Sequence, residues 1–435
     1  MASGQNGFFG GGAPREEEEY VFCDSSQDEN ACGLLQRKYE SEGANPSQRM
    51  PSGTYRATRN HLRTVATEAL ELVSGRECSV LDIGCSDGSL LSYYPRWVER
   101  VGVDPDDIVD QVGVWASTYR TTFPSPETDS AFKERQFDIV TAISVFEDID
   151  NPAEFLRSVK DVMTDDGIFV LETLYAPVIL TRTCVDSFFE KRSAFYSLSV
   201  LEALFREVGM KIFRGALTDK DGGSVRLYVT HDHVEEYDFD PWYERLARLW
   251  DEENALGLRL AAPYRAFEGR AAEACGAFRA ELDAVSKRGD IAHILGAGPT
   301  AAELYAWAGG KKSVVEAAVV PYNPSSDEKL FSGGPPLVST AEANALEPDI
   351  FIAPAVAKRE VLEQWQEPIM RGARILFASP YPHMVHAGNF AAEFGKSMAG
   401  GDGAGGPETL RAILGAAGGP RLVFESTPEK QKFAG

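Results

Sequence analysis

The chain has 435 residues, of which 43% are hydrophobic and 25% charged, a composition typical of a globular protein with two or three domains. Its 66 acidic and 43 basic residues give a net charge of −23, which disfavours a nucleic-acid substrate because a polyanion repels the phosphate backbone. No apolar run approaches the roughly 18 residues of a membrane span, and no secretory signal is visible, so we expect a cytoplasmic protein without membrane contact.

The stretch "MASGQNGFFGGGAPREEEEY" is rich in glycine and then in acid, so residues 1–50 are interpreted as a flexible or divergent segment. It contains Cys23 and Cys32, two of the six cysteines of the chain. No two cysteines form a CxxC pair, so the sequence predicts reduced thiols and no metal site.

Strands and helices alternate over residues 51–235. A helical pattern within residues 51–76 is followed by strand signals in "CSVLDIG", "VERVGVD", "FDIVTAISVF" and "DGIFVLETLY", and "GGSVRLYVTH" closes the unit. This alternation predicts an α/β fold with a parallel, doubly wound sheet.

The rest of the chain divides into three further regions. Residues 236–289 are amphipathic with few breakers and predict a helical connector. Residues 290–390 return to alternating strands and helices, which predicts a second, Rossmann-like α/β domain. Residues 391–435 form a Gly/Ala-rich tail that we expect to be loose.

The first glycine loop, "LDIGCSDGSLL", places Asp82 two residues before Gly84, and Asp104 follows at the end of the second strand. A carboxylate at that point can accept hydrogen bonds from both ribose hydroxyls. A tight turn between a strand and a helix is the plainer interpretation. The combined pattern resembles the first motif of class I S-adenosylmethionine-dependent methyltransferases.

That resemblance implies that Asp82, Ser86 and Asp87 line the methionine end of S-adenosylmethionine and that Asp104 binds its ribose. The full set of expected cofactor-binding residues is Asp82, Gly84, Ser86, Asp87, Gly88, Asp104 and Ser144.

The second glycine loop, "ILGAGPTAAEL", has the GxGxxA spacing of dinucleotide-binding turns. The next strand ends in Pro321, Tyr322 and Asn323, with no acid for a ribose, so NAD binding is disfavoured. A phosphate site and a simple packing turn both remain open for this loop.

From about residue 51 to residue 390, the chain resembles the sugar C-methyltransferases, which act on nucleotide-linked deoxy-keto-sugars. The resemblance rests on "LDIGCSDGSLL", "GVDP", "VFEDIDNPAEF", "SFFEKRSAFYSLSVLEALF", "DGGSVR", "ILGAGPTA" and "VVPYNP". It implies a zinc domain, a central S-adenosylmethionine domain and a Rossmann-like domain without a cofactor of its own.

The departures from this family fall on its acid–base residues. Asp148 replaces a histidine, and residues 189–192 read Phe-Glu-Lys-Arg where the family has Tyr-His-Glu-His. Asp221 replaces the histidine of the family's His-Gly-Gly-Ser signature, and the zinc-binding cysteine pairs are absent.

Carbon methylation beside a ketone requires a base for the α-proton and a donor for the enolate oxygen. Arg192 stays protonated, so it is expected to hold an oxyanion, a phosphate or a carboxylate rather than to accept a proton. Asp148 or Glu190 becomes a base if burial raises its pKa, and Tyr196 is placed to reach the pocket. These four residues are the predicted catalytic set.

The sequence therefore predicts a methyltransferase that acts on a small molecule, plausibly a sugar or a nucleotide-linked sugar. Methylation of oxygen or nitrogen on another natural product demands less of the site, because the nucleophile is already present. A relative that keeps the cofactor pocket without methylating is the other alternative. The sequence leaves the acceptor atom and the oligomeric state open.

Overall fold

The computed structural model of the chain describes residues 20–24, 31–38, 51–73, 77–189, 192–310, 314–346, 348–398 and 424–426. These residues form three sheets, of seven, six and four strands. No helix within them is both long enough and apolar enough to cross a membrane.

The seven-stranded sheet has the order β5-β4-β3-β6-β7-β10-β9. Its strands are β3 (Ser79–Ile83), β4 (Glu99–Val103), β5 (Ser117–Tyr119), β6 (Phe137–Ile143), β7 (Met163–Leu174), β9 (Met210–Thr218) and β10 (Ser224–His231). Only β10, which lies between β7 and β9, runs antiparallel to its neighbours. This order confirms the predicted doubly wound sheet of the class I methyltransferase fold.

Helices cover both faces of this sheet. They are α1 (Arg56–Leu72), α2 (Pro126–Phe132), α3 (Pro152–Asp161), α4 (Ala176–Arg182) and α5 (Leu198–Glu207). The sequence specifies several of their starts: Asn151 and Ser197 accept hydrogen bonds from backbone amides in the first turns of α3 and α5. The apolar residues of β6 and β7 are buried because helices pack on both sides of the sheet.

The six-stranded sheet has the order β13-β12-β11-β14-β15-β16, and only β16 runs antiparallel to its neighbour. Its strands are β11 (Ala292–Leu295), β12 (Val315–Val320), β13 (Leu337–Ser339), β14 (Ile350–Ala353), β15 (Arg374–Phe377) and β16 (His383–Val385). Its helices are α8 (Pro299–Trp307), α9 (Thr340–Leu346), α10 (Lys358–Gln364), α11 (Gln366–Met370) and α12 (Phe390–Met398). The predicted second Rossmann-like domain is confirmed.

The helices of residues 236–289 belong to the two domains rather than to a separate connector. Helix α6 (Asp240–Leu256) packs on β9 and buries Leu246 in the core of the first domain. Helix α7 (Ala261–Arg288) buries Phe267 and Phe278 in a core shared with the second sheet. The prediction of helices was right, whereas their grouping as a linker missed which sheet each helix covers.

The four-stranded sheet corrects the interpretation of both chain ends. It joins β1 (Tyr20–Phe22), β2 (Leu35–Arg37), β8 (Ala194–Phe195) and β17 (Phe424–Ser426). Part of the segment expected to be flexible is therefore ordered, because Tyr20, Phe22 and Leu35 bury their side chains. Helix α12 likewise continues into the predicted tail; residues 1–19, 25–30, 39–50, 399–423 and 427–435 lie outside the described residues.

Candidate functional site

The glycine loop after β3 lies directly against the loop after β6. Gly84 has a positive φ of 75°, and a Cβ atom there would lie 2.3 Å from Cγ2 of Val145. Only glycine fits this contact without displacing its neighbour. The loop thereby brings the carboxyl end of β3 next to Glu147 and Asp148, which follow Val145 in a 3-10 turn.

Asp104, the residue that follows β4, is the central residue of the predicted ribose site. Its Oδ2 accepts a hydrogen bond from the backbone N–H of Ser86 at 2.9 Å, and its Oδ1 accepts one from Asp106 at 2.9 Å. The carboxylate is 3% exposed, so these two bonds fix its orientation. Each carboxylate oxygen keeps a second acceptor position, which suits a pair of hydroxyl donors.

Asp82 lies within β3 and is bound to the neighbouring strand. Its Oδ1 accepts a hydrogen bond from the Thr141 hydroxyl at 2.7 Å. Burial raises the pKa of Asp82 to about 7, and the charges of Asp104 and Asp87 push it the same way. Asp82 therefore carries less negative charge at neutral pH than the sequence suggests.

Asp87 and Gly88 shape the far side of the loop. Asp87 accepts a hydrogen bond from the backbone N–H of Gly53 at 3.0 Å, which ties the segment before α1 to the loop. Gly88 has a positive φ of 73° and packs under Val112. The structure thus groups six of the seven predicted cofactor residues.

Ser144, the seventh predicted cofactor residue, is bonded to Asp221 rather than to the glycine loop. Its hydroxyl donates to Oδ2 of Asp221 at 2.9 Å, and Lys220 Nζ lies 2.5 Å from the other oxygen of that carboxylate. Although burial opposes it, the cations of Lys220 and Arg192 lower the pKa of Asp221 to about 2. Asp221 is therefore an ionised and fully partnered carboxylate.

Asp148 and Arg192, both predicted catalytic residues, form an ion pair. Arg192 Nη1 lies 2.5 Å from Asp148 Oδ2, and the two side chains are 16% and 30% exposed. The hydroxyl of Tyr20 donates to the backbone carbonyl of Arg192 at 3.2 Å, so the N-terminal strand supports this segment. Glu190 lies outside the described residues.

Tyr196, the fourth predicted catalytic residue, is 1% exposed and packs on Phe146 with ring centroids 4.8 Å apart. Burial raises the pKa of its phenol well above its usual range, and the charges of Glu147 and Asp148 add to that shift. Tyr196 therefore remains protonated, and proton acceptance is not a role it can take.

Glu147 was not selected from the sequence, although it precedes Asp148. Its side chain is 0% exposed; Oε2 accepts a hydrogen bond from the Thr173 hydroxyl at 2.9 Å, and Oε1 has no partner among the described residues. Burial raises the pKa of Glu147 to about 7, against the opposing charge of Arg192.

A second buried glutamate, Glu172 on β7, was also missed. It is 0% exposed and bonds His61 Nε2 at 2.9 Å and the Thr218 hydroxyl at 2.6 Å, with Arg226 at 3.9 Å. Although burial opposes it, His61 and Arg226 lower the pKa of Glu172 to about 2. An acid within the otherwise apolar "IFVLETLY" was the signal available in the sequence.

The second domain closes one side of this site. The buried carboxylate of Asp186 accepts hydrogen bonds from the Ser379 hydroxyl at 2.6 Å and the Val356 backbone N–H at 2.9 Å. Helix α10 packs against α1, which places Glu360 near Lys220. Burial raises the pKa of Glu360, and the Lys220 charge opposes that shift.

Within the described ranges, no group of three or more His, Cys, Asp or Glu residues is arranged to hold a metal ion. The free thiols of Cys23 and Cys32 are neighbours, since Cys32 N–H donates to Cys23 Sγ at 3.3 Å.

Comparison with known families supports two domains. Residues 53–214 match the model of a methyltransferase domain, and residues 219–380 match the model of a C-methyltransferase C-terminal domain. The curated C-methyltransferase NovU of Streptomyces niveus is 25% identical over 194 residues, which span 43% of this chain and 45% of NovU. The match thus covers less than half of that relative's length.

Solved structures with related folds include the plantazolicin methyltransferase BpumL, with a TM-score of 0.32, 14% identity and coverage of 40% of this chain and 84% of BpumL. Magnesium protoporphyrin IX methyltransferase from Synechocystis PCC 6803 has a TM-score of 0.31, 13% identity and coverage of 40% and 79%. From its family models, the chain carries a class I methyltransferase domain, whose methyl donor is S-adenosylmethionine, joined to a C-methyltransferase C-terminal domain.

Proposed function

We propose that the chain transfers a methyl group from S-adenosylmethionine to a carbon beside a carbonyl group, in a small molecule of the nucleotide-linked keto-sugar class. The observation that carries the proposal is the contact between Gly84 and Val145. It supports the proposal because the glycine loop lies beside the turn that holds Glu147 and Asp148, and the ion pair of Asp148 with Arg192 adds a fixed cation to these carboxyl groups.

The residues at the carboxyl ends of β3 and β4 fit this cofactor. Asp104 would accept hydrogen bonds from the ribose hydroxyls, and the missing side chain at Gly84 lets the loop approach Val145 closely. Asp87 and Ser86 would line the methionine end. When bound, the cofactor supplies an electrophilic methyl group, and the other chemistry falls to the protein's own side chains.

Arg192 is the residue proposed to steady negative charge on the acceptor. Its guanidinium carries a permanent positive charge and presents N–H donors in a planar fork, and its ion pair with Asp148 fixes its position. A preorganised cation is effective beside a developing enolate oxygen because it does not reorganise during the reaction. The predicted role of Arg192 as an oxyanion holder fits this position.

Methylation of an amine is the second candidate. The carboxyl groups of Glu147, Asp148, Asp221 and Glu360 outnumber the cations of Arg192 and Lys220 among these neighbouring residues, as the charges that act on them indicate. Such an environment attracts a protonated amino group on the acceptor. An amine acceptor would then need a carboxylate only to take up its ammonium proton.

The atom that receives the methyl group distinguishes carbon methylation from amine methylation. We expect S-adenosylmethionine labelled with carbon-13 at its methyl group to give, with a nucleotide-linked deoxy-keto-hexose, a product whose labelled methyl is bonded to carbon. Carbon-13 NMR of the product identifies that bond directly. Labelling of an amine or a phenol in a parallel panel, with no labelling of the keto-sugar, would contradict carbon methylation.

A further inference from the structure

We propose that Glu147 is the general base that removes the α-proton of the acceptor, with its Oε1 as the receiving atom. The proposal rests on the proposed function, because only carbon methylation beside a carbonyl requires this step. It assigns the base to a residue that neither the motifs nor the family resemblance indicated.

The position of Glu147 suits a base. The residue lies in the 3-10 turn immediately after β6, two residues beyond the Val145 side chain that contacts Gly84. The Thr173 hydroxyl holds Oε2 at 2.9 Å, while Oε1 is buried without a partner among the described residues. One oxygen is therefore fixed by the protein, and the other has no protein partner among the described residues that a ligand would have to displace. An unpartnered buried carboxyl oxygen is costly to maintain in a folded protein, which points to a function for it.

The charged neighbours of Glu147 on this side of the sheet cannot act as the general base, because their own bonds or their chemistry prevent it. Asp221 is bound by Ser144 and Lys220 and has a pKa of about 2, so it is too weak a base. Asp148 is paired with Arg192 at 2.5 Å, so one of its carboxylate oxygens already accepts a charged donor. Arg192 has no lone pair to offer.

His61 and Glu172 form a second hydrogen-bonded pair, but Glu172 points to the other face of β7. Thr173, which bonds Glu147, and Glu172, which bonds His61, are successive residues of that strand. Successive strand residues point to opposite faces of a sheet. The Glu172 side chain, and with it the bond to His61, therefore points away from Glu147.

The ionisation of Glu147 agrees with this geometry. Burial raises its pKa to about 7, with Arg192 opposing and Asp148 and Asp221 reinforcing the shift. A base with a pKa near the working pH combines a sizeable ionised fraction with a strong tendency to accept a proton.

The α C–H bond of the acceptor breaks, an O–H bond forms at Oε1 of Glu147, and the electron pair moves onto the carbonyl oxygen, where Arg192 faces it. The resulting enolate carbon would form a C–C bond to the methyl group while the methyl C–S bond of the donor breaks, its electron pair staying on sulfur and S-adenosylhomocysteine leaving. Glu147 later returns the proton to solvent.

Proton exchange tests the proposal without methyl transfer. In D₂O, with S-adenosylhomocysteine in place of the methyl donor, we expect the wild-type enzyme to exchange the α-proton of a nucleotide-linked deoxy-keto-hexose for deuterium, as measured by mass spectrometry. Glu147→Gln should lower this exchange by about 100-fold or more, while calorimetry shows unchanged S-adenosylhomocysteine binding. Glu244→Gln, an exposed carboxyl on α6, is the matched control and should exchange at the wild-type rate.

The outcomes separate the two proposals. Wild-type exchange in Glu147→Gln overturns the role of Glu147 alone, and loss of exchange only in Glu190→Gln places the base at that residue instead. Absence of both exchange and methylation of the keto-sugar by the wild-type enzyme overturns the proposed function, and the role of Glu147 with it.

Thr173→Val provides a second measurement if Glu147→Gln fails to fold. Loss of the donated hydrogen bond should raise the pKa of Glu147, so the ascending limb of the rate–pH profile should move to higher pH. An unmoved limb in a folded Thr173→Val enzyme would overturn the assignment.

Discussion

Glu147 and Glu172 are two fully buried glutamates on opposite faces of the same sheet. They differ in the number of their hydrogen-bond and ion-pair partners. Glu172 is bound by a histidine, a hydroxyl and an arginine, and its pKa falls to about 2. Among the described residues, Glu147 has one side-chain hydrogen-bond donor and one unpartnered oxygen, and its pKa rises to about 7. The contrast teaches that the number of partners, rather than burial, decides whether a buried acid is structural or reactive.

Removal of the charge of Glu172 should have the largest effect on stability. Glu172→Gln removes the buried carboxylate that bonds His61 and lies 3.9 Å from Arg226, although Arg226 keeps Glu68 at 3.4 Å. We therefore expect the free energy of unfolding to fall by about 3 kcal/mol at pH 7. Urea unfolding measures this loss. Because the folded pKa is lowered, the contribution of Glu172 exists above its unfolded pKa near 4.5 and disappears as the pH falls toward 2. A loss that persists unchanged at pH 3 would contradict the assignment.

Removal of the charge of Glu147 should have the opposite effect and raise the free energy of unfolding. Its folded pKa is raised, so the folded state favours the protonated acid; that advantage is present below pH 4.5 and is lost as the pH rises through 7. At pH 8 the ionised, buried group destabilises the fold, and Glu147→Gln should raise the free energy of unfolding by about 2–3 kcal/mol. The gain should vanish near pH 4. Equal stability of the variant and the wild-type protein at both pH values would contradict the comparison.

Asp104 is a third buried carboxylate, and two backbone N–H groups fix its orientation. Asp104→Ala should weaken S-adenosylmethionine binding by about 1–3 kcal/mol, through loss of a charged acceptor. Isothermal titration calorimetry measures the change, and Asp107→Ala, which removes an exposed carboxyl of the same loop, serves as the control. Unchanged affinity in Asp104→Ala would remove the ribose assignment.

An exposed ion pair should show the smallest effect. Arg157 and Glu207 lie 3.2 Å apart with side chains 50% and 46% exposed, so solvent screens their attraction. We expect Arg157→Ala to change the free energy of unfolding by less than about 0.5 kcal/mol in the same urea experiment. A loss comparable to that of Glu172→Gln would show that distance alone, rather than burial with partners, sets the strength of these pairs.

The fold was predictable because its signals are local. Apolar strands, capped helices and glycines at strand ends are each contained within short windows of sequence, and they predicted both α/β domains and the Gly84 loop. The strands near residues 20 and 424 were missed, since Tyr20 pairs with Phe424 across almost the whole chain.

The site was only partly predictable because its chemistry depends on distant partners. Asp148 and Arg192 were selected from their positions in motifs, but their ion pair joins residues 44 apart. His61 and Glu172 are 111 residues apart, and nothing near either one reveals that they are bonded. Ser144 stays a predicted cofactor residue, and nothing near it in the sequence reveals that its hydroxyl is bonded to Asp221, 77 residues later.

The most direct test of the account is the protonation of Glu147 itself, observed by infrared difference spectroscopy between pH 5.5 and pH 8.5. We expect a protonated-carboxyl band in the wild-type protein that is lost at the higher pH and to which both Asp82 and Glu147 contribute. Glu147→Gln should lose the Glu147 part of that band and keep the Asp82 part, while Glu172→Gln retains the whole band. Identical spectra for the wild-type protein and Glu147→Gln would show that Glu147 does not titrate in this range, and would contradict its assignment as the poised base.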